Sequence, residues 1–354
     1  MGVRPTLGDL RSSLAPWCRE RDDRRAYRDL ARDGLVYLVA FVGASVLPGL
    51  AGRVLSGVIA GLAVTALFVW AHDVAHGALL GDGRWPAFAG TLAMLPSLQP
   101  YRLWQHGHNR VHHGFTSLTS VDWIWRPWSP AEYAAASRTA RIGYRIERSL
   151  TACGWHYLRR VWWAGMVRYR PANARQRADA RFSWAVTGAG TSVLCATSWW
   201  LGGWSAVVTA VVVPWAVFTY AIALITYVHH THPTRTFYAS RSTWEPVLGH
   251  VTGSVVVVVP RAVGWLLHDI LVHTPHHLDQ RIPYYRLQAA WDQLRPAVTG
   301  LDVLEYRGSP RAIAGVFRRC KLFDYEAGCW RRFPDRREAL RPWTAPASSP
   351  MMSS

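Results

Sequence analysis

Charge is scarce in this chain, and most of it is of one sign and one kind. Only 18% of the 354 residues are Asp, Glu, Lys or Arg, below the roughly 25% of an ordinary soluble domain. Lys321 is the only lysine, so the 40 basic residues that oppose 22 acidic ones are nearly all arginine. Cysteine is also sparse. Cys18, Cys153, Cys195, Cys320 and Cys329 are odd in number and form no C-x-x-C pair, which excludes a disulfide scaffold. No collagen repeat, heptad pattern or acidic low-complexity tract is present. The arginine-rich start has no early apolar core, so no secretory signal is expected. What is abundant is tryptophan and histidine, with 20 and 15 residues.

The mean hydropathy of +0.01 averages unlike segments. Between Gly34 and Leu80 the only charged residues are Arg53 and Asp73, and from Phe182 to His230 there are none. A bilayer core requires about 20 apolar residues. The expectation is therefore an all-α membrane protein with four transmembrane helices in two hairpins, spanning about 34–50, 55–78, 182–201 and 205–229, with breaks at Pro48-Gly49 and Leu201-Gly202-Gly203. Two proline-interrupted apolar stretches, Trp85–Trp104 and Val251–Leu267, read as re-entrant or interfacial helices. The segment Arg138–Arg181 holds eleven arginines against Glu147 and Asp179. Basic residues mark the cytoplasmic side, which puts both termini and the middle segment there, facing anionic membrane lipids. The net charge of +18 then needs no nucleic acid, and no soluble module with interleaved basic and stacking residues is present. The organisation expected is a basic N-terminal segment (1–33), a membrane domain (34–304) carrying a helical cytoplasmic cap, and a tail (305–354) whose end is disordered.

The histidines fall in four clusters: His72 and His76; His106, His108, His112 and His113; His229, His230 and His232; and His268, His273, His276 and His277. Each follows an even number of spans, so all emerge on one face. Residues four apart share a helix face, so His72 with His76, His108 with His112, and His273 with His277 can each point at one ion. The adjacent pair His112-His113 diverges by about 100° and suits two neighbouring ions. Imidazole favours iron, copper, zinc or nickel over calcium or magnesium, and eight or nine imidazoles exceed what one ion takes. A two-metal centre follows. Haem ligated by histidine pairs is the rival metal reading, but those pairs lie within spans rather than at their ends. His156 and His250 read as ordinary side chains, and His106 and His229 lean the same way.

From about Ala71 to Leu287 the chain resembles the integral-membrane fatty acid desaturase superfamily. His72-Asp73-x-x-His76, His108-x-x-x-His112-His113 and His273-x-x-His276-His277 match its three histidine boxes, and Ile282-Pro283-Tyr284-Tyr285 matches the tail of the third in omega-6 and omega-3 acyl-lipid enzymes. The stretch Tyr227–Thr231 matches the isolated histidine after the fourth span, mapping a ninth ligand to His230 with His232 in reserve. The resemblance implies two iron ions on His72, His76, His108, His112, His113, His230, His273, His276 and His277. With O2 and two electrons they introduce a double bond into an acyl chain linked to a lipid, CoA or a carrier protein. Asp73, Asp122 and Asp269 are candidates for carboxylates that hold imidazole tautomers, and His268 for a supporting role. No dinucleotide loop, iron–sulfur cysteine set or haem module is evident. A separate electron donor, a ferredoxin or a cytochrome b5-like protein, is therefore implied. Trp70, Trp104, Trp123, Trp125, Trp128 and Trp265 lie near the boxes, and interface anchoring is favoured for them over an acyl tunnel. A hydroxylase, ketolase or acetylenase would carry the same ligands. A non-catalytic metal carrier would instead place them at the bilayer midplane.

Overall fold

Polar caps and glycine breaks set the ends of the long helices in the computed structural model, which describes residues 5–334. After a short α1 (Leu7–Ser12), the Asp22 side chain accepts the Arg25 amide and starts α2 (Asp23–Val46), pairing an N–H that the first turn leaves orphaned. Gly49, at φ +82°, turns the chain into α3 (Leu50–Ala75). Then come α4 (Arg84–Met94) and α5 (Tyr101–His106), which runs into a π-wound turn at Gly107–His112. The helices α6 (Pro130–Ala135), α7 (Arg138–Glu147) and α8 (Gly154–His156) precede a second π-wound stretch, Tyr157–Val167. Asn173 caps α9 (Ala174–Val207), which breaks at Gly202 and Gly203, the latter at φ +66° and ψ −158°. The chain returns through α10 (Val213–His230).

These four arms form a bundle. Trp70 Nε1 donates to Ala26 O at 2.9 Å while Gly43 abuts Ser56, so α2 and α3 run antiparallel. On α3, Gly57 and Gly61 lie against Thr209, Pro214 and Val217, where a methyl group would overlap Thr209 O or the Val217 side chain. Small residues four apart admit such close helix contact. The start of α9 is tied near α5 by Arg102–Asp179 at 2.8 Å, and its break lies at Ser45. Thr209, just before α10, donates to Ala44 O at 2.6 Å. The reversal at Gly202-Gly203 thus brings α10 back to the end where α3 finishes. Among the described residues, two segments, Leu50–Ala75 and Ala174–His230, are long and apolar enough to cross a membrane. Large apolar side chains point outward along the arms, Trp200 being 82% exposed.

The first arm begins well before the charge-free stretch at Gly34. Its polar first half packs against the body: Asp29 and Asp33 are buried, Asp29 accepting from Tyr284 Oη at 2.9 Å and Asp33 pairing with His268 Nε2 at 2.7 Å. Upstream, Arg11 donates to Leu278 O and Arg19 pairs with Asp279, both at 2.7 Å, strapping the N-terminal segment across the third box.

The all-α expectation needs correction in the second half. Val251–Leu267 is not one helix: Val255–Val258 is a strand, β1. Five consecutive valines are β-branched and stiff at χ1, which favours a pleated surface. After β1 come α11 (Arg261–Leu266), α12 (His273–Leu278) and α13 (Leu287–Ala297). Then β2 (Leu304–Arg307) pairs parallel with β1 in the register Val255–Leu304 to Val258–Arg307. Beyond it, α14 (Pro310–Arg319), β3 (Leu322–Asp324) and β4 (Cys329–Arg331) bury Val316, Phe317 and Phe323. Residues 305–331 are therefore folded onto the body, and the expected disorder at the chain end lies outside the described residues.

Candidate metal centre

Four segments converge at the common end of α3 and α10. His72 and His76 sit one turn apart at the end of α3, their rings 4.6 Å apart. His108, His112 and His113 come from the π-wound turn after α5, His229 and His230 from the last turn of α10, and His273, His276 and His277 from α12. The ring nitrogens form two groups, each with all ligand atoms within 4.8 Å of one another: His72, His76, His108, His113 and His276, and then His112, His230, His273 and His277. All nine histidines that the resemblance implies as ligands are in these groups.

The partition differs from the helical expectation at one point. His108 shares its group with His113, not with His112. The π winding closes an i→i+5 hydrogen bond, His113 N to His108 O at 3.0 Å, so the fifth residue onward comes round to the same side. His112 is thereby turned into the other group. On α12, His273 and His277 share a side as a regular helix requires, and His276 faces the five-member group.

Hydrogen bonds on Nδ1 aim Nε2 inward. His72 Nδ1 donates to Asp73 at 2.8 Å, and Asp73 is held in turn by the Tyr284 amide at 2.6 Å. His112 Nδ1 donates to Asp122 at 3.0 Å, with Asp122 fixed by the amides of Ser117 and Ile124. His230 Nδ1 donates to Gly253 O at 3.1 Å. Thr116 donates to His112 O at 2.8 Å and accepts from His277 Nδ1 at 3.1 Å. These tautomers follow from what each partner can offer.

Other expected supporters lie elsewhere. Asp269, at φ +49°, packs its carboxylate over Gly264 and bonds to no imidazole among the described residues. His268 serves Asp33 and packs on Tyr284, so it touches no ligand directly. His232 bonds to Thr234 and lies against Tyr306, outside both groups. Two histidines read as ordinary border the site instead. His229 stacks on His273 at 3.6 Å, and His250 lies 3.2 Å from Thr116. Nothing in local spacing marks His250 or Gly253, which arrive from distant segments, whereas Thr116 lies one turn past His112 in the same segment.

Burial drives the imidazoles of His108, His113, His273, His276 and His277 well below their ordinary pKa, which keeps them neutral and able to bind a metal. Nε2 atoms approach each other at 2.9 Å between His72 and His108, 3.1 Å between His108 and His113, and 3.1 Å between His113 and His276. The Nδ1 atoms of His113, His273 and His276 are buried without partners. Crowded lone pairs of this kind repel unless a cation lies among them, so the donor set fits metal ions.

An apolar cavity opens onto these groups. Phe68, Leu103, Trp104, Trp123, Tyr157, Val161 and Ile222 form its walls, and His72, His108, His112, His230 and His273 lie at its inner end. Trp104 and Trp123 thus line a channel rather than anchor the surface. Trp70 and Trp125 are fully buried, and Trp128 stacks on Tyr144, so anchoring fits only the exposed Trp265 among the six.

The family model described as fatty acid desaturase matches residues 30–308. The chain belongs to that family. It is 26% identical over 332 residues to an sn-1 oleoyl-lipid 12-desaturase of Anabaena variabilis, covering 91% of each chain. It is 28% identical to a chloroplastic omega-6 fatty acid desaturase of Glycine max, over 92% of this chain and 76% of that one. A 30% identity links 66% of this chain to 51% of the Arabidopsis thaliana chloroplastic omega-6 desaturase. The protein is thus an oxidoreductase of the fatty acid desaturase family, associated with membranes and acting on acyl chains. The apolar cavity ending at the imidazoles has the character that an acyl chain requires.

Proposed function

We propose that this protein is a multi-pass membrane desaturase that inserts a double bond into a lipid-linked acyl chain, with a regiochemistry like that of the 12-desaturases it resembles. The observation that carries this reading is the division of nine imidazoles, seven buried and two (His76 and His108) half-buried, into groups of five and four at the inner end of an apolar cavity. Two iron ions would be held by those groups. A methylene carbon carries no acidic proton, so acid–base chemistry cannot act on it. When bound, the iron pair would supply O2 activation and removal of two hydrogens from neighbouring carbons. The chain's own residues do the rest. Phe68, Leu103, Trp104 and Val161 exclude water and hold the acyl chain against the histidines, so that two adjacent methylenes stay within reach. Asp73, Asp122, Gly253 and Thr116 keep the imidazoles oriented.

In this reading the four arms span the bilayer, and both chain ends and the histidines lie on the cytoplasmic side, where arginines are dense. Electrons come from a separate ferredoxin or cytochrome b5-like donor. The test is expression with a ferredoxin and its reductase, followed by mass spectrometry of host lipids. Loss of two hydrogens from an acyl chain is the expected result. Gain of one oxygen would identify a hydroxylase, and unchanged lipids with both metals bound would reject common acyl lipids as substrate.

A further inference from the structure

We infer that the outer face of α14 is the docking surface for an acidic electron-carrier protein; this rests on the desaturase reading, which needs electrons from outside. Arg311, Arg318, Arg319 and Arg332 line an open cleft, with Ala312 and Gly315 the other lining residues among those described. Arg311, Arg318, Arg319 and Arg332 are exposed, and among the described residues none forms an ion pair. Several other arginines have carboxylate partners: Arg19 pairs with Asp279, Arg32 with Asp33, and Arg159 and Arg160 share Glu147. Four guanidinium groups on one face, without a carboxylate partner among the described residues, make a field that attracts an anionic partner.

The surroundings separate a protein partner from a lipid surface. A lipid-facing basic patch carries apolar or aromatic anchors among its cations. Here no large hydrophobic side chain is exposed anywhere from Leu266 to Pro334, whereas such residues are frequent before that point. The face is an aqueous one.

The inner side of the same helix leads toward the metal groups. Phe317 stacks on Tyr227 with ring centroids 4.0 Å apart, and Tyr227 Oη donates to Cys320 O at 2.9 Å. Tyr227 lies in the last turns of α10, one turn before His230. A carrier seated on the four arginines is therefore connected to a ligand-bearing helix through one packed aromatic contact. Each turnover consumes two electrons, two protons and the two hydrogens of the substrate, and reduces O2 to two waters. A one-electron carrier docks twice, arriving reduced and leaving oxidised.

The test uses the full chain in nanodiscs of uncharged lipid, with reduced plant-type ferredoxin as the acidic donor. The variant replaces all four arginines: Arg311→Gln, Arg318→Gln, Arg319→Gln and Arg332→Gln. The KM for ferredoxin should rise at least about 10-fold and lose most of its salt dependence, while turnover driven by a small chemical reductant stays at the wild-type level. An unchanged ferredoxin KM overturns the proposal, as does weakened binding to phosphatidylglycerol vesicles with ferredoxin binding intact. If the wild type forms no alkene even with the chemical reductant, the desaturase reading is what fails. Calorimetric ferredoxin binding to wild type and variant then decides the surface alone, a weaker affinity in the variant supporting it and equal affinities overturning it.

Discussion

The two imidazole groups are built differently. In the group of four, His112, His230 and His277 each have Nδ1 tied, to Asp122, Gly253 and Thr116. In the group of five, His72 alone has such a tie, to Asp73, while His76 has both ring nitrogens buried without partners. One site is pre-organised by hydrogen bonds; the other relies on the number of its donors. Fewer donors leave no spare, so orientation matters more where four must suffice.

The largest effect is expected from His112→Ala, which removes one of the four. Desaturation should be abolished and bound metal should fall, with the protein still found in the membrane fraction; full activity in this variant would refute the site assignment. Next, Asp122→Asn should lower metal retention in the four-member group by about 10- to 100-fold, seen as faster metal loss to a chelator. Asp73→Asn should have a smaller effect, and equal losses in the two variants would break the comparison. Thr116→Val, which frees only a neutral hydrogen bond, should weaken retention by less than Asp122→Asn.

The smallest effect belongs to a buried carboxylate outside both groups. Burial alone would raise the Glu147 pKa, but His156, Arg160 and Arg159 outweigh it and hold it down to about 2. Because the folded value lies below the ordinary 4.5, the associated stability is present above that pH and is lost as pH falls toward about 2. Unfolding midpoints of wild type and Glu147→Gln should therefore differ by a constant amount near neutrality and converge in acid. Metal retention at neutral pH should not change in this variant.

Much of the helical architecture was legible because long apolar stretches and helix caps are local signals. The break at Gly202-Gly203 and the turn at Gly49 were readable as glycine punctuation, since φ near +66° and +82° is costly for other residues. The start of α2 was not, because Asp29 and Asp33 look like surface residues until Tyr284 and His268 are brought to them. The strand β1 was misread as helix because apolar runs of that length suit either state, and its partner Leu304–Arg307 lies far along the chain.

By itself the sequence determined which residues gather at the helix ends: histidines spaced to share a helix face. These are properties of period and composition. The assignment of each imidazole to its group was decided only by tertiary structure. The π winding at Gly107–His112 moved His112 away from His108, and Thr116, Gly253 and Asp122 oriented the rings. Helical periodicity says which side of its own helix a side chain occupies, but only packing between helices says what that side faces.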